Sequence, residues 1–229
     1  MGIHENIKKI KEKIAQVVSK VNRSPDEICI VAATKGRDIK EIKEAIDSGI
    51  RIIGENRWQE AREKISSLKD ENIEWHFIGH LQKNKVKYVV ENFDMIQSVD
   101  SQELIEEISK RATRANKLID VLIEVNISRE PQKYGLPPEK TVEFIRKNAN
   151  LPGVKIRGIM TIAPWFGDER VRPFFIEAKK LFDAIKEENI EGVELTYLSM
   201  GMSDDFWIAI EEGSNMVRLG RAIFGERRV

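Results

Sequence analysis

Ile28-Cys29-Ile30-Val31-Ala32-Ala33-Thr34-Lys35 is a short apolar run that stops on a charge, with Gly36-Arg37-Asp38 directly after it. The run is too short and too rich in β-branched residues for a helix, so it reads as a buried strand. Side chains alternate along a strand, which puts Lys35 on the same face as Ala33, Val31 and Cys29. A lysine at the C-terminal lip of a buried strand is well placed to lose its proton and attack a carbonyl, because partial burial favours the neutral amine. Taken alone, the segment reads more readily as an exposed lysine that merely ends a strand.

Working outward, strand-like and helix-like runs alternate along the whole chain. Strands are predicted at about 28–34, 51–55, 75–79, 94–98, 120–126, 155–160, 194–199 and 216–219. Helices are predicted from Asp38 to Ser48, Asn56 to Leu68, Ser101 to Ala115, Pro138 to Asn148, Arg170 to Glu188 and Ser203 to Glu212. An additional amphipathic helix, roughly Glu5 to Val21, precedes the first strand and carries Ile7, Ile10, Ile14, Val17 and Val18 at helical spacing. Eight strands alternating with helices in 229 residues point to an α/β fold of the (β/α)8 TIM-barrel type. An open doubly wound sheet is the other possibility, but no glycine-rich dinucleotide fingerprint follows the first strand. With no linker and no internal repeat, residues 1–229 are expected to form one domain.

Composition narrows the partners. Lys+Arg and Asp+Glu are both 38, so the formal net charge is zero and a nucleic-acid partner is not expected. A small anion can still bind, since local dipoles suffice. The single Cys29 rules out an intrachain disulfide and suits a reducing cytoplasm, where it is expected to be a packed, inert thiol. The polar N-terminus carries no secretory signal, and no apolar run approaches a membrane span.

In a barrel of this type the site gathers at the C-terminal strand ends. Those ends supply Lys35, then Gly54-Glu55-Asn56, Gly79-His80, Glu124-Val125-Asn126, Gly158-Ile159-Met160-Thr161, Ser199-Met200-Gly201-Met202-Ser203 and Arg218-Leu219-Gly220-Arg221. Small residues beneath polar ones, Ala33 under Lys35 and Gly54 under Asn56, suggest a shallow cup. In the Ser199–Ser203 segment, Gly201 permits a sharp turn and Ser203 is expected to cap the following helix. That is either a phosphate cradle or an ordinary helix start with two core methionines. Asp204 and Asp205 suit a helix N-terminus and are expected to point away from any phosphate. Arg218, inside an apolar strand, needs a partner: Glu55, Glu124 or the ring nitrogen of a ligand. His76 is expected to be structural, and His80 is a candidate ligand contact. No metal-ligand spacing is present. Trp58, Trp165 and Trp207 are expected to pack near helix starts, and Lys133 to be a solvated loop lysine.

These motifs together resemble the pyridoxal phosphate homeostasis proteins. The resemblance rests on Ala33-Thr34-Lys35, Gly54-Glu55-Asn56, Trp75-His76-Phe77-Ile78-Gly79-His80-Leu81-Gln82, Gly158-Ile159-Met160-Thr161, Ser199-Met200-Gly201-Met202-Ser203 and Arg218-Leu219-Gly220, in that order. Those proteins are similar to the N-terminal barrel of fold-type III enzymes such as alanine racemase. The resemblance implies that Lys35 forms a Schiff base with pyridoxal 5'-phosphate (PLP) and that Asn56 and Met160 border the ring. It implies that Ser203, Gly220 and the Arg221 backbone hold the phosphate and that Arg218 faces the ring nitrogen. Three positions depart from the usual pattern: Gly36 where proline is common, Arg57-Trp58 for an aromatic-aliphatic pair, and Arg221 where threonine is frequent.

Two functions follow as expectations. One is a cytoplasmic, monomeric PLP-binding protein of vitamin B6 homeostasis with little or no catalysis, whose partners are PLP and apo forms of PLP-dependent enzymes. The alternative is an amino-acid racemase or a related PLP enzyme. Racemisation needs acid and base groups on both faces of the substrate, and only Lys35 can be named for one face. The racemases carry a further β-domain that supplies a catalytic tyrosine, and none of Tyr88, Tyr134 and Tyr197 is expected to lie in such a domain. A third option, weaker on the motifs, is a phospho-sugar enzyme in which Lys35 binds the sugar carbonyl.

Overall fold

All eight expected strands form, and in the computed structural model, which describes residues 2–226, they close on themselves in chain order. The strands are β1 (Cys29–Ala33), β2 (Ile52–Glu55), β3 (Glu74–Phe77), β4 (Met95–Val99), β5 (Ile119–Val125), β6 (Val154–Thr161), β7 (Tyr197–Ser199) and β8 (Met216–Leu219). Every neighbouring pair is parallel, and β8 returns to β1 through Cys29↔Met216 and Val31↔Arg218. The expected strand at 194–199 is shorter than its apolar run, beginning only at Tyr197.

The helices are α1 (Ile3–Lys20), α2 (Ile39–Asp47), α3 (Trp58–Ser67), α4 (Val86–Asn92), α5 (Gln102–Arg114), α6 (Pro138–Asn148), α7 (Arg172–Glu187), α8 (Phe206–Glu211) and α9 (Arg221–Phe224). Local chemistry sets several boundaries. Asp38 and Glu41 form a reciprocal capping box at the start of α2. Pro138 occupies the first position of α6, where its missing N–H costs nothing. α1 buries Ile3, Ile7, Ile10, Ile14, Val17 and Val18 as one stripe against α2, α8 and α9.

Two apolar layers hold the barrel. The larger lies between strands and helices and includes Ala32, Ile53, Ile96, Ile123 and Val217. The smaller fills the lumen with Val31, Ile78, Met95, Leu122, Met160 and Met216, and Cys29 and Ala33 pack against it. The alternation expected along β1 is therefore what the fold uses. Cys29 is half-buried at the N-terminal mouth rather than fully packed, and burial with the nearby Glu74 pushes its thiol pKa up, away from reactivity. Gly158 allows β6 and β7 to approach, since a Cβ there would land on the Tyr197 carbonyl.

Candidate functional site

The C-terminal mouth is built on a rigid support. Behind Lys35, on the outer side of the barrel, the Lys64 ammonium donates to the Thr34 carbonyl at 2.7 Å and to Glu55 Oε1 at 2.5 Å. The Thr34 hydroxyl also donates to Glu55 Oε1. These groups are buried, so the backbone carrying Lys35 is held by an ionic network centred on Glu55 Oε1, while Glu55 Oε2 is buried without a hydrogen-bond partner. The next amide, Gly36 N–H, donates to Glu60 Oε2 at 3.1 Å. The Lys35 ammonium is half-buried and makes no hydrogen bond or ion pair with any described residue. It lines a cleft of about 640 Å³ with Asn56, Arg57, Trp58, Glu60 and His80. Gly79 seals the floor of that cleft, because a Cβ there would strike the Asn56 carbonyl.

Arg218 projects into the lumen, with about 5% of its surface exposed. Its Nη1 donates to Ser199 Oγ at 2.7 Å and its Nη2 to the Thr161 carbonyl at 2.8 Å. Neither acceptor is charged. Burial lowers the Arg218 pKa to about 10, with Glu124 and Asp205 opposing that shift. The expectation that Arg218 pairs with Glu55 is corrected: Glu55 faces the outer layer and belongs to Lys64. Glu124 and Asp205 are the carboxylates that sense Arg218. Burial and the like charge of Asp100 push Glu124 up to about 7, and Arg218 pulls it down.

At the far side of the mouth the β7–α8 and β8–α9 loops are tied together. Ser203 does not cap its own helix; its Oγ accepts from Ala222 N–H, at the start of α9, at 3.0 Å. Asp205, not Ser203, flanks α8, and its Oδ1 accepts from Met202 N–H at 2.6 Å. The amides of Ser203 and Arg221 donate to no described acceptor. Gly201, at φ +94°, packs its backbone where a Cβ would meet Ala209 and Phe206. Asp204 pairs with the Arg221 guanidinium and accepts from Trp165 Nε1 at 2.9 Å.

Other expected site residues divide. Lys35, Asn56, Met160, Arg218, Gly220 and Arg221 lie at the mouth or just beneath it. Ser199 sits lower, fully buried, with its hydroxyl committed to Gln97 and Arg218. Met200 is corrected: its side chain joins the outer apolar layer, away from the lumen. His80 is exposed and stacks on Tyr134 at 3.8 Å between ring centroids, with Asp100 at 3.8 Å from its Nδ1. Trp58 stacks on Tyr88 at 5.5 Å, whereas Trp165, expected to pack, is 74% exposed. Lys133 pairs with Glu130 at 2.6 Å rather than standing free in solvent. Sequence reading missed Gln97 and the Glu55–Lys64 pair. The only signal for Gln97 was an amide inside the apolar run Met95-Ile96-Gln97-Ser98-Val99. No group of metal-ligating side chains occurs among the described residues, and none of their helices is long and apolar enough to cross a membrane.

Comparison with known proteins places this geometry in a family. Residues 6–228 match the family described as alanine racemase, N-terminal domain. The chain is 42% identical to the pyridoxal phosphate homeostasis protein of Aquifex aeolicus over 100% of both chains. It is 37% identical to that of Escherichia coli, over 98% of this chain and 97% of the relative. A solved structure of PipY from Synechococcus elongatus with PLP bound superposes with a TM-score of 0.81 at 32% identity, covering 93% of this chain and all of PipY. An alanine racemase of Clostridium difficile, at 16% identity and a TM-score of 0.75, shares the barrel over 57% of its length. The full-length identity and the closed eight-strand barrel lead to one conclusion: this chain belongs to the pyridoxal phosphate homeostasis protein family, built on the alanine racemase N-terminal fold.

Proposed function

We propose that this protein binds pyridoxal 5'-phosphate at the C-terminal mouth of its barrel and serves PLP homeostasis, with little or no catalysis of its own. The observation that carries the reading is Lys35, whose ammonium has no partner while its backbone is fixed from behind by Lys64 and Glu55. The donor set fits the group. A primary amine suits its aldehyde, the free Ser203 and Arg221 amides with the Ser203 hydroxyl suit its phosphate, and the Arg218 guanidinium suits its ring nitrogen. When bound, PLP supplies an aldehyde carbon that an amine can capture and a ring that can draw electrons from it.

The Lys35 ε-nitrogen would capture that carbon with loss of water. Arg218 would donate to the ring nitrogen without giving up its proton, which would leave the ring unprotonated and limit its electron-withdrawing power. Asn56, in the cleft with Lys35, and Met160, in the lumen beneath, would border the ring, and Gly220 would let the chain pass close to the phosphate. Ser199 acts one layer down, through Arg218, and Met200 contributes backbone only. This equipment suits a holder that releases PLP to apo-enzymes more than a catalyst. The acids and bases near this mouth include the exposed His80–Tyr134 stack, Glu60 in the cleft and the buried Glu124, and nothing in the structure places any of them on the face opposite Lys35.

Absorbance of the purified protein with added PLP tests the reading. A yellow band that is absent in Lys35→Ala supports it, and borohydride reduction should leave a phosphopyridoxyl group on Lys35. A protein that stays colourless at saturating PLP overturns it. Rapid solvent-deuterium exchange at the α-carbon of amino acids, lost in Lys35→Ala, would replace the holder with a racemase-type enzyme.

A further inference from the structure

We infer that Gln97 and His76 are positioning residues for Arg218, joined to it through Ser199 in one hydrogen-bond chain that runs down the barrel lumen toward Glu74 at the opposite mouth. The inference rests on the PLP site proposed above, because its purpose is to hold Arg218 against the ring. The chain has four short contacts and one long one. Arg218 Nη1 donates to Ser199 Oγ at 2.7 Å, and Ser199 Oγ lies 2.7 Å from Gln97 Oε1. Gln97 Nε2 lies 2.9 Å from His76 Nδ1 and 3.2 Å from Met216 Sδ. His76 Nε2 has no closer acceptor than Glu74 Oε2, at 3.5 Å. Gln97, Ser199 and His76 are all essentially sealed from solvent.

The donor chemistry of arginine fixes the polarity of every link. A guanidinium can only donate, so Ser199 Oγ must accept from it. The single proton of Ser199 then goes to Gln97, which has to present its oxygen. The Gln97 amide nitrogen therefore faces His76, and Nδ1 has to accept. The imidazole then carries its proton on Nε2, which is buried without a formed hydrogen bond and lies 3.5 Å from Glu74 Oε2; His76 holds the Glu74 carboxylate below the usual range. Asp120 and Arg157 share that N-terminal mouth. Each donor in the chain points the same way, so the links polarise one another. With Nη1 fixed by Ser199 and Nη2 by Thr161, the guanidinium plane has one orientation, and its remaining N–H groups have one direction. Loss of Gln97 frees the Ser199 proton to turn, and one corner of the plane loosens.

Two measurements on the full chain test this. Nitrogen NMR of labelled histidine, without PLP and near neutral pH, reads the His76 tautomer; His76→Asn assigns the signal among the three histidines. The expected result is a proton on Nε2, moving to Nδ1 in Gln97→Glu, where a carboxylate faces Nδ1 and demands a donor. A wild-type His76 with its proton on Nδ1 overturns the chain. The second measurement is PLP titration of Gln97→Met, which keeps the volume and removes the amide. Binding should weaken about tenfold, the scale of one buried hydrogen bond, with a displaced absorbance maximum of the bound form. Unchanged affinity and spectrum overturn the positioning role. If Gln97→Met does not fold, the wild-type tautomer still decides. A wild-type protein that takes up no PLP would remove the functional reading and leave the tautomer result standing.

Discussion

Lys64 and Arg218 are both cations sealed inside the protein, on opposite faces of the same sheet, and they are treated in opposite ways. Outside the strands, Lys64 meets a buried carboxylate and a backbone carbonyl, so the two opposite charges answer each other even though Glu55 Oε2 has no hydrogen-bond partner. Inside the lumen, Arg218 meets a hydroxyl and a carbonyl, and no carboxylate stands within ion-pair distance among the described residues. A network that serves only stability satisfies itself, because an unpaired buried charge is costly. A network that serves a ligand leaves part of its capacity open. Lys35 extends the contrast: one residue beyond the carbonyl that Lys64 grips, its own amine grips nothing.

Substitutions can break that contrast in order of size. Lys64→Met strands the Glu55 carboxylate, which has 0% exposure, and should cost about 3–5 kcal/mol in urea unfolding. A smaller loss would mean that the outer network is not structural. Next comes Glu124, on the lumen side. An unfolded glutamate releases its proton near 4.5, while Glu124 keeps its own to about 7. Between those values the unfolded chain binds fewer protons, so stability falls as pH rises through that window, by up to about 3 kcal/mol. Glu124→Gln should flatten that part of the profile and make the protein more stable than wild type at pH above about 7. Arg218→Met removes a cation that no carboxylate pairs, so stability should hold within about 1 kcal/mol or rise, while PLP affinity drops. Lys35→Ala should be the mildest for folding, within about 0.5 kcal/mol by thermal melting, and should abolish the PLP band. A large stability loss in Lys35→Ala would erase the distinction between the two lysines.

Much of this contrast was legible in the sequence where chemistry is local. The apolar run ending at Lys35, the alternation that aims Val31 inward, and the arginine inside β8 could all be read along one segment. What escaped was non-local. Ser203 was expected to cap α8 because that helix follows it, but its acceptor serves an amide 19 residues away. The Lys64–Glu55 pair joins a helix to a strand, and on paper Lys64 is one more charge on an amphipathic helix. Gln97 touches residues 21 and 102 positions distant. Met200 was assigned to the site by its neighbours, whereas the alternation past Ser199 turns it outward. α4 is implied by the alternation of strands and helices but carries no bounds in the sequence, because seven residues with three buried valines give too short a period to delimit.

The packing of α1 has a consequence in time. The first helix of the chain buries its apolar stripe partly on α8 and α9, and Asn6 donates to the Ile223 carbonyl at 2.9 Å. Arg23, just after it, donates to the carbonyls of Ile210 and Ser214, and Arg37 to those of Phe224 and Gly225. These partners are 187–217 residues further along the chain and are therefore made later. At about 5–20 residues per second, α1 waits on the order of ten seconds or more for the surface it is shaped to cover. Until then β1 also lacks one of its two neighbours. A ribosome-bound chain halted before β8 should therefore be cleaved by protease within α1, and a chain extended beyond α9 and clear of the ribosome should be protected.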